Sequence, residues 1–224
     1  MNLLGFDTST PAVAVCVLRA DGAAFEAEPP VARLAEPPGH ARELMPAVDR
    51  VMREAELDYG DLDAIAVGIG PGTFTGLRIG IATAHGLAHA RGLALHPVLS
   101  LAALAAGIEA DGAVMPLIDA RRGEVFGAVY EDGRELAAPF VAAPEDAAAR
   151  GPAGTLAAGD GSIRFRETLE HAGIRVAPAE SRMHVVRGLH ICKLAATVPP
   201  APPESVVPCY LRAPDAKPPS RSGA

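Results

Sequence analysis

The sequence predicts an α/β fold of two lobes with related architecture, each a mixed sheet with helices packed on it. Three observations predict it. Strand-like apolar runs alternate along the chain with segments of helical spacing. One order of elements (short strand, acidic turn, second strand, Asp-Gly hairpin) runs from Leu3 to Gly22 and starts again from Val114 to Gly133. The chain's 224 residues suffice for one large domain or two small lobes with a sizeable core. We therefore divide it into an N-terminal lobe (1–99), a C-terminal lobe (100–212) and a disordered Pro-rich tail (213–224).

Leu3 to Phe6 and the Val-rich run Ala12 to Leu18 read as strands flanking the polar turn Asp7-Thr8-Ser9-Thr10-Pro11. Asp21-Gly22 closes the next hairpin, so the N-terminus reads as a β-meander. Ala41, Leu44, Met45, Val48, Val51, Met52 and Ala55 recur at helical spacing. Pro46 requires that helix either to start near Glu43 or to kink. Ala64 to Gly68 reads as a buried strand leading into Gly70-Pro71-Gly72-Thr73-Phe74-Thr75-Gly76. A helix from about Leu77 to Ala90 follows, with Gly92 as its C-cap. Leu95 to Val98 is a strand, and Ser100 to Glu109 a helix with Ser100 as N-cap. The second half reads as strand Val114 to Ile118, turn Arg121-Arg122-Gly123, strand Val125 to Tyr130 and hairpin Asp132-Gly133. Strand Thr155 to Ala158 comes next, then a helix through His171 and a last helix from His184 to Thr197.

Composition excludes several classes. Lys+Arg number 20 against 27 Asp+Glu, a net charge of −7, with 49% hydrophobic and 21% charged residues. That is a globular composition. With three Tyr, six Phe and no Trp, the chain lacks the basic stripe and the stacking platform of a free-standing nucleic-acid binder. No apolar run reaches the roughly 18 residues of a membrane span, and the start lacks a basic secretory n-region. Cys16, Cys192 and Cys209 are scattered and odd in number, which argues against a disulfide framework or zinc finger and for a reducing cytoplasm.

The Gly-rich segment is not a P-loop, because no Lys follows Gly76. Nor is it a dinucleotide fingerprint, since Gly70 and Gly72 are followed by Thr75 where the third Gly belongs. What remains is a strand, a tight turn through Gly70, Gly72, Thr73, Thr75 and Gly76, and a helix N-terminus with Arg78 one turn in. The alternative role for these glycines is to let the helix lie close to the sheet. His85 and His89 have metal-ligand spacing but no Glu after His85 and no third ligand. Ser9, Ser100 and Ser162 lack a nucleophile elbow.

The Asp7-Thr8-Ser9-Thr10 turn resembles the phosphate-facing turn of the ATPase fold shared by actin, sugar kinases and heat-shock chaperones. Asp119 stands where that fold places its second carboxylate. Four segments then occur in a specific order: Leu4 to Thr10, His40-Ala41-Arg42-Glu43-Leu44-Met45-Pro46, Gly70 to Gly80, and Asp119-Ala120-Arg121 through Phe126. Together they resemble the TsaB (YeaZ) family, the accessory subunit of the bacterial machinery that makes threonylcarbamoyladenosine beside the tRNA anticodon. The likeness extends to Pro208-Cys209-Tyr210-Leu211-Arg212.

The resemblance implies a two-lobed actin-like ATPase (ASKHA, ribonuclease H-like) fold and a non-catalytic role. The related catalytic subunit, TsaD, carries a His-x-x-x-His metal motif after the strand that follows the Gly-rich helix. Ser100 and Leu104 stand there in this chain, and Leu cannot ligate a metal. The resemblance places the partner interface on two helices, through His40, Leu44, Met45, Val48, Val51 and Met52 on the first and Arg78, Ile79 and Ala82 on the second. It implies a TsaD-like partner, a TsaE-like ATPase, and a homodimer when the chain is alone. The chain's acidic charge leads us to expect tRNA contact only through the complex, and we expect no cofactor of the chain's own, with ATP and magnesium belonging to the complex. The alternative is an independent ATP-dependent phosphotransferase using Asp7 and Asp119, with Thr8, Ser9 and Thr10 facing phosphate.

Overall fold

In a computed structural model that describes residues 1–212, β1 (Leu3–Asp7) is buried from end to end. It is the central strand of a five-stranded sheet. β2 (Ala14–Leu18) and β3 (Ala24–Ala27) extend it as an antiparallel meander on one side. β4 (Ala64–Gly68) and β5 (Ala94–Val98) run parallel to it on the other. The expected tail, 213–224, lies outside the described residues.

The second sheet repeats this plan. β6 (Val114–Arg121), β7 (Glu124–Glu131) and β8 (Arg134–Ala142) form the meander, and β9 (Leu156–Ala158) and β10 (Arg175–Val176) the parallel pair. The order β3-β2-β1-β4-β5 is thus matched position for position by β8-β7-β6-β9-β10. The helices follow the same duplication. In the first half α1 (His40–Glu54) and α2 (Phe74–Arg91) precede β4 and β5, and α3 (Ser100–Ala105) follows. In the second, α4 (Pro144–Ala148), then α5 (Asp160–Arg164) with α6 (Arg166–His171), precede β9 and β10, and α7 (Gly188–Ala195) follows. Each half's last helix crosses to the other sheet: α3 packs on β6 and β7, and α7 on β1 and β2.

Side-chain alternation along β1 explains how that sheet is covered on both faces. Leu4 and Phe6 face α1 and α2, with Leu44, Val48, Val51, Met52 and Ile81. Leu3 faces α7 with Cys16 and Cys192. Gly5 also lies under α7, and a Cβ there would overlap the Cys192 sulfur, so glycine sets how closely α7 approaches.

Several boundaries differ from the sequence reading. α1 starts at His40 and continues through Pro46. The Arg42 carbonyl simply loses its i+4 donor, which an amphipathic helix anchored by four buried apolar side chains tolerates. α2 begins three residues earlier than expected. α3 ends at Ala105, short of Glu109. The helix through His171 is two short helices meeting at Phe165. The last helix starts at Gly188, because Val185 and Val186 are buried and the guanidinium of extended Arg187 is locked to Glu26 on β3. Glu26 also accepts the Leu189 N–H at 3.0 Å, capping α7 from a neighbouring strand.

Candidate functional site

β1, β4 and β5 run parallel, so their C-terminal ends lie side by side and the turns leaving them converge. Asp7 ends β1 with 1% of its surface exposed. One carboxylate oxygen accepts the Ser9 N–H at 2.8 Å and the Ser9 hydroxyl at 2.6 Å. The other accepts the Ser100 hydroxyl at 2.5 Å. Ser100 Oγ in turn accepts the Gly70 N–H at 3.1 Å, while the Ser100 N–H donates to the Gly70 carbonyl at 2.8 Å. Burial pushes the Asp7 carboxyl above its ordinary range, against the hydrogen bonds from Ser100 and Ser9 that hold it down.

The rest of the turn is covered by the Gly-rich segment. Thr8 Oγ1 donates to the Gly76 carbonyl at 2.8 Å, and Thr73 N–H donates to the Ser9 carbonyl at 2.7 Å. His40 donates its Nε2–H to the Thr10 carbonyl at 2.7 Å. A Cβ on Gly72, Gly76 or Gly80 would overlap Ser9 or Thr8. These glycines thus bring α2 down onto the 7–10 turn, the packing role that the sequence left as the alternative.

That geometry corrects one expectation. Asp7, Thr8, Ser9 and Thr10 are all buried and bonded to the chain's own groups, so they face no open phosphate site. A hydrated magnesium-nucleotide binds through groups that solvent can reach, and these buried side chains do not fit it. Asp119 differs, because it lines an open cleft of about 760 Å³ between the two halves. Its Oδ1 accepts the Arg121 N–H at 2.8 Å, and its Oδ2 meets the guanidinium groups of Arg121 and Arg164, each at 2.9 Å. Gly72 to Gly76, the start of α1 and Cys209 to Arg212 complete the walls. Thr73 precedes the first turn of α2 with its hydroxyl buried and unpartnered.

A second correction concerns the two helices. Leu44, Val48, Val51 and Met52 are core side chains packed on their own sheet, and His40 is buried under the Thr10 carbonyl. An amphipathic stripe alone does not say whether sheet or partner covers it, and here the sheet does. Met45 (37% exposed) and Ala82 face outward, and Ile79 is half-buried. Arg78 stacks on Phe74 at 3.9 Å and donates to the Tyr210 hydroxyl at 3.3 Å.

Three further points concern histidines and serines. Ser100 is not an N-cap, because its hydroxyl serves Asp7 instead. Strand register carries a signal for it: β1, β4 and β5 end level in the parallel alignment, so Asp7 and Ser100 come to the two sides of the end of β4. His85 bonds the Val206 carbonyl at 3.0 Å and His89 is exposed. Among the described residues no group of three or more His, Cys, Asp or Glu is placed to hold a metal ion. Ser162 and His184 meet at 3.4 Å with no exposed surface, and His184 accepts the Gly159 N–H and bonds the Pro178 carbonyl, a structural linkage.

Comparison with known proteins agrees with the architecture. The sequence profile of TsaD, tRNA N6-adenosine threonylcarbamoyltransferase, matches residues 35–189. An uncharacterized protein of Mycobacterium leprae is 38% identical over 218 residues, covering 96% of this chain and 56% of the relative. The tRNA threonylcarbamoyladenosine biosynthesis protein TsaB of Bacillus subtilis is 36% identical over 132 residues, 58% of this chain and 56% of that protein. The chain thus spans little more than half the length of these curated relatives. The structure of YeaZ from Pseudomonas aeruginosa matches with a TM-score of 0.78 and 30% identity, over 94% of this chain and 99% of that one. The profile match, the identity and the fold shared with YeaZ together establish that the chain belongs to the TsaB (YeaZ) family.

Proposed function

We propose that this chain is the non-catalytic accessory subunit of a tRNA threonylcarbamoyltransferase and acts by docking a TsaD-like catalytic subunit. The observation that carries this reading is the closure of the 7–10 turn. Asp7 is 1% exposed and both its carboxylate oxygens accept from Ser9 and Ser100, so a hydrated cation has no solvent-side approach to it in this packing. Ser100 and the fully buried Leu104 also stand where the transferase is expected to carry its metal-binding histidines. Relatives bearing the TsaB name supply the pathway, threonylcarbamoyladenosine biosynthesis.

The docking face is the solvent side of α1 and α2. Met45 projects from α1, and Ala82, Gly86 and Ala90 are exposed at i, i+4 and i+8 on α2. Small residues at that spacing let a partner helix approach closely, with Met45 and Ile79 supplying apolar contact. The same face permits a homodimer when the partner is absent. ATP and magnesium are handled by the partner subunits, a TsaE-like ATPase among them, and the complex works on tRNA in the cytoplasm. No helix among the described residues is long and apolar enough to cross a membrane.

The deciding experiment is reconstituted threonylcarbamoyl transfer to tRNA by the partner subunits with and without this chain. Product that requires the chain, with no magnesium-dependent ATP turnover by the chain alone, is the expected result. Turnover by the lone chain that disappears in Asp7→Ala would overturn it.

A further inference from the structure

Among the exposed large apolar residues two are aromatic, Phe74 at 52% and Tyr210 at 42%, and they meet. Their rings stack with centroids 5.7 Å apart and 24° between planes. Arg78 covers Phe74 and bonds the Tyr210 hydroxyl. With Phe74 held by both the Tyr210 ring and the Arg78 guanidinium, the pair is fixed in place while about half of each residue stays open to solvent. In a chain with 4% aromatic residues, that pairing brings together positions 136 apart (210 − 74) in the sequence.

The pair sits on the cleft between the halves, whose lining includes Arg42, Arg121 and Arg212. Arg42 is exposed and has no ion pair among the described residues. Arg121 has 55% of its side chain exposed while holding Asp119, and Arg212 pairs with Glu124. Among the described residues Asp119 is the lone carboxylate of the lining, and two arginines pair with it. A chain of net charge −7 therefore keeps a local cationic mouth beside exposed rings, the combination used to bind single-stranded nucleic acid.

We propose that Phe74 and Tyr210 form a stacking platform for an unpaired base of the tRNA, with the flanking phosphates on Arg42 and Arg121. This rests on the reading given under Proposed function and adds to it a direct RNA contact by this chain. Single-stranded RNA fits better than a mononucleotide, because the rings are about half exposed and the lining arginines come from three separate segments, at 42, 121 and 212. An acidic peptide would use the arginines but leave the rings without a partner.

The test is an anisotropy titration of the full chain with a labelled RNA stem-loop and with a blunt duplex of equal length. We expect preference for the stem-loop, and about a tenfold weaker Kd for it in Phe74→Ala and in Tyr210→Ala, with Phe74→Tyr close to wild type. Arg42→Gln should reduce the slope of log Kd against log salt by about 0.7. Equal binding of duplex and stem-loop, no binding of either, or Phe74→Ala behaving as wild type would each overturn the proposal. So would displacement of the stem-loop by AMP at concentrations near its own Kd, which assigns the rings to a small nucleotide. Loss of melting temperature in both Phe74→Ala and Tyr210→Ala with unchanged stem-loop binding would make the pair a structural pin. Transfer assays of the same variants with the catalytic partner separate the two readings. If the wild-type chain fails to support transfer, the subunit reading falls, while the lone-chain titration still reports on the platform.

Discussion

Ser100 and Asp7, 93 residues apart in sequence, are joined by a 2.5 Å hydrogen bond that closes the turn where an actin-like enzyme would hold its magnesium-nucleotide. The same hydroxyl accepts the Gly70 N–H, so one side chain links the ends of β1 and β5 to the Gly-rich turn. Ser100→Ala leaves a buried carboxylate oxygen and a buried N–H without partners. We expect a loss of about 2–3 kcal/mol. Removing a bond that lowers the Asp7 carboxyl raises it further, so the loss grows as pH rises. Denaturant melts at acid and neutral pH check both the size and the sign.

The approach of α2 to this turn gives a second prediction. In Gly76→Ala the new methyl overlaps the Thr8 carbonyl oxygen, a backbone atom that cannot rotate away. The expected cost is about 1–3 kcal/mol. Gly86→Ala, where a Cβ meets open space, should instead be neutral or slightly stabilising in the same melts.

Asp160 provides a pH test. Burial pushes its carboxyl up to about 6; the Asp119 and Gly161 N–H bonds and Arg121 oppose this, while the Asp119 charge reinforces it. Between the ordinary value of 3.8 and about 6 the folded state holds the proton more tightly, so this group's contribution to stability falls as pH rises through that window. Asp160→Asn keeps an oxygen for the Asp119 and Gly161 N–H groups at 3.1 and 3.0 Å. It should be more stable than wild type by on the order of 1–2 kcal/mol at neutral pH, since the side chain retains some solvent contact. The difference should vanish below about pH 4, as read from paired thermal melts.

Glu26 holds α7 by a partly buried ion pair with Arg187 and by the Leu189 N–H. Glu26→Ala leaves the guanidinium with Glu28 alone among the described residues, at 3.3 Å, and uncaps the helix. We expect a loss of about 1–2 kcal/mol, seen as a lower melting temperature and faster amide exchange in α7.

On the docking face, Met45→Glu or Ala82→Arg places a charge on exposed helix surface without touching the core. Each should weaken association with the TsaD-like subunit at least tenfold while leaving the melting temperature within a degree or two. Calorimetric titration against the partner reads the first effect and a melt the second.

Sequence alone determined the element order, its duplication, the family and the Asp7 to Thr10 and Gly70 to Gly76 turns as special places. These depend on local chemistry: hydrophobic period, turn residues and motif spacing act over a few residues and survive without contacts. Only tertiary structure decided which way those places face. A stripe such as Leu44, Val48, Val51 and Met52 has one period whether sheet or partner covers it, and a serine after a strand reads as a cap until the parallel register puts it beside Asp7. The exposed Phe74–Tyr210 pair likewise joins residues 136 apart (210 − 74). Side-chain type sets what a residue can bond, but the partner it finds depends on distance in space, and that distance comes from the packing of the two sheets.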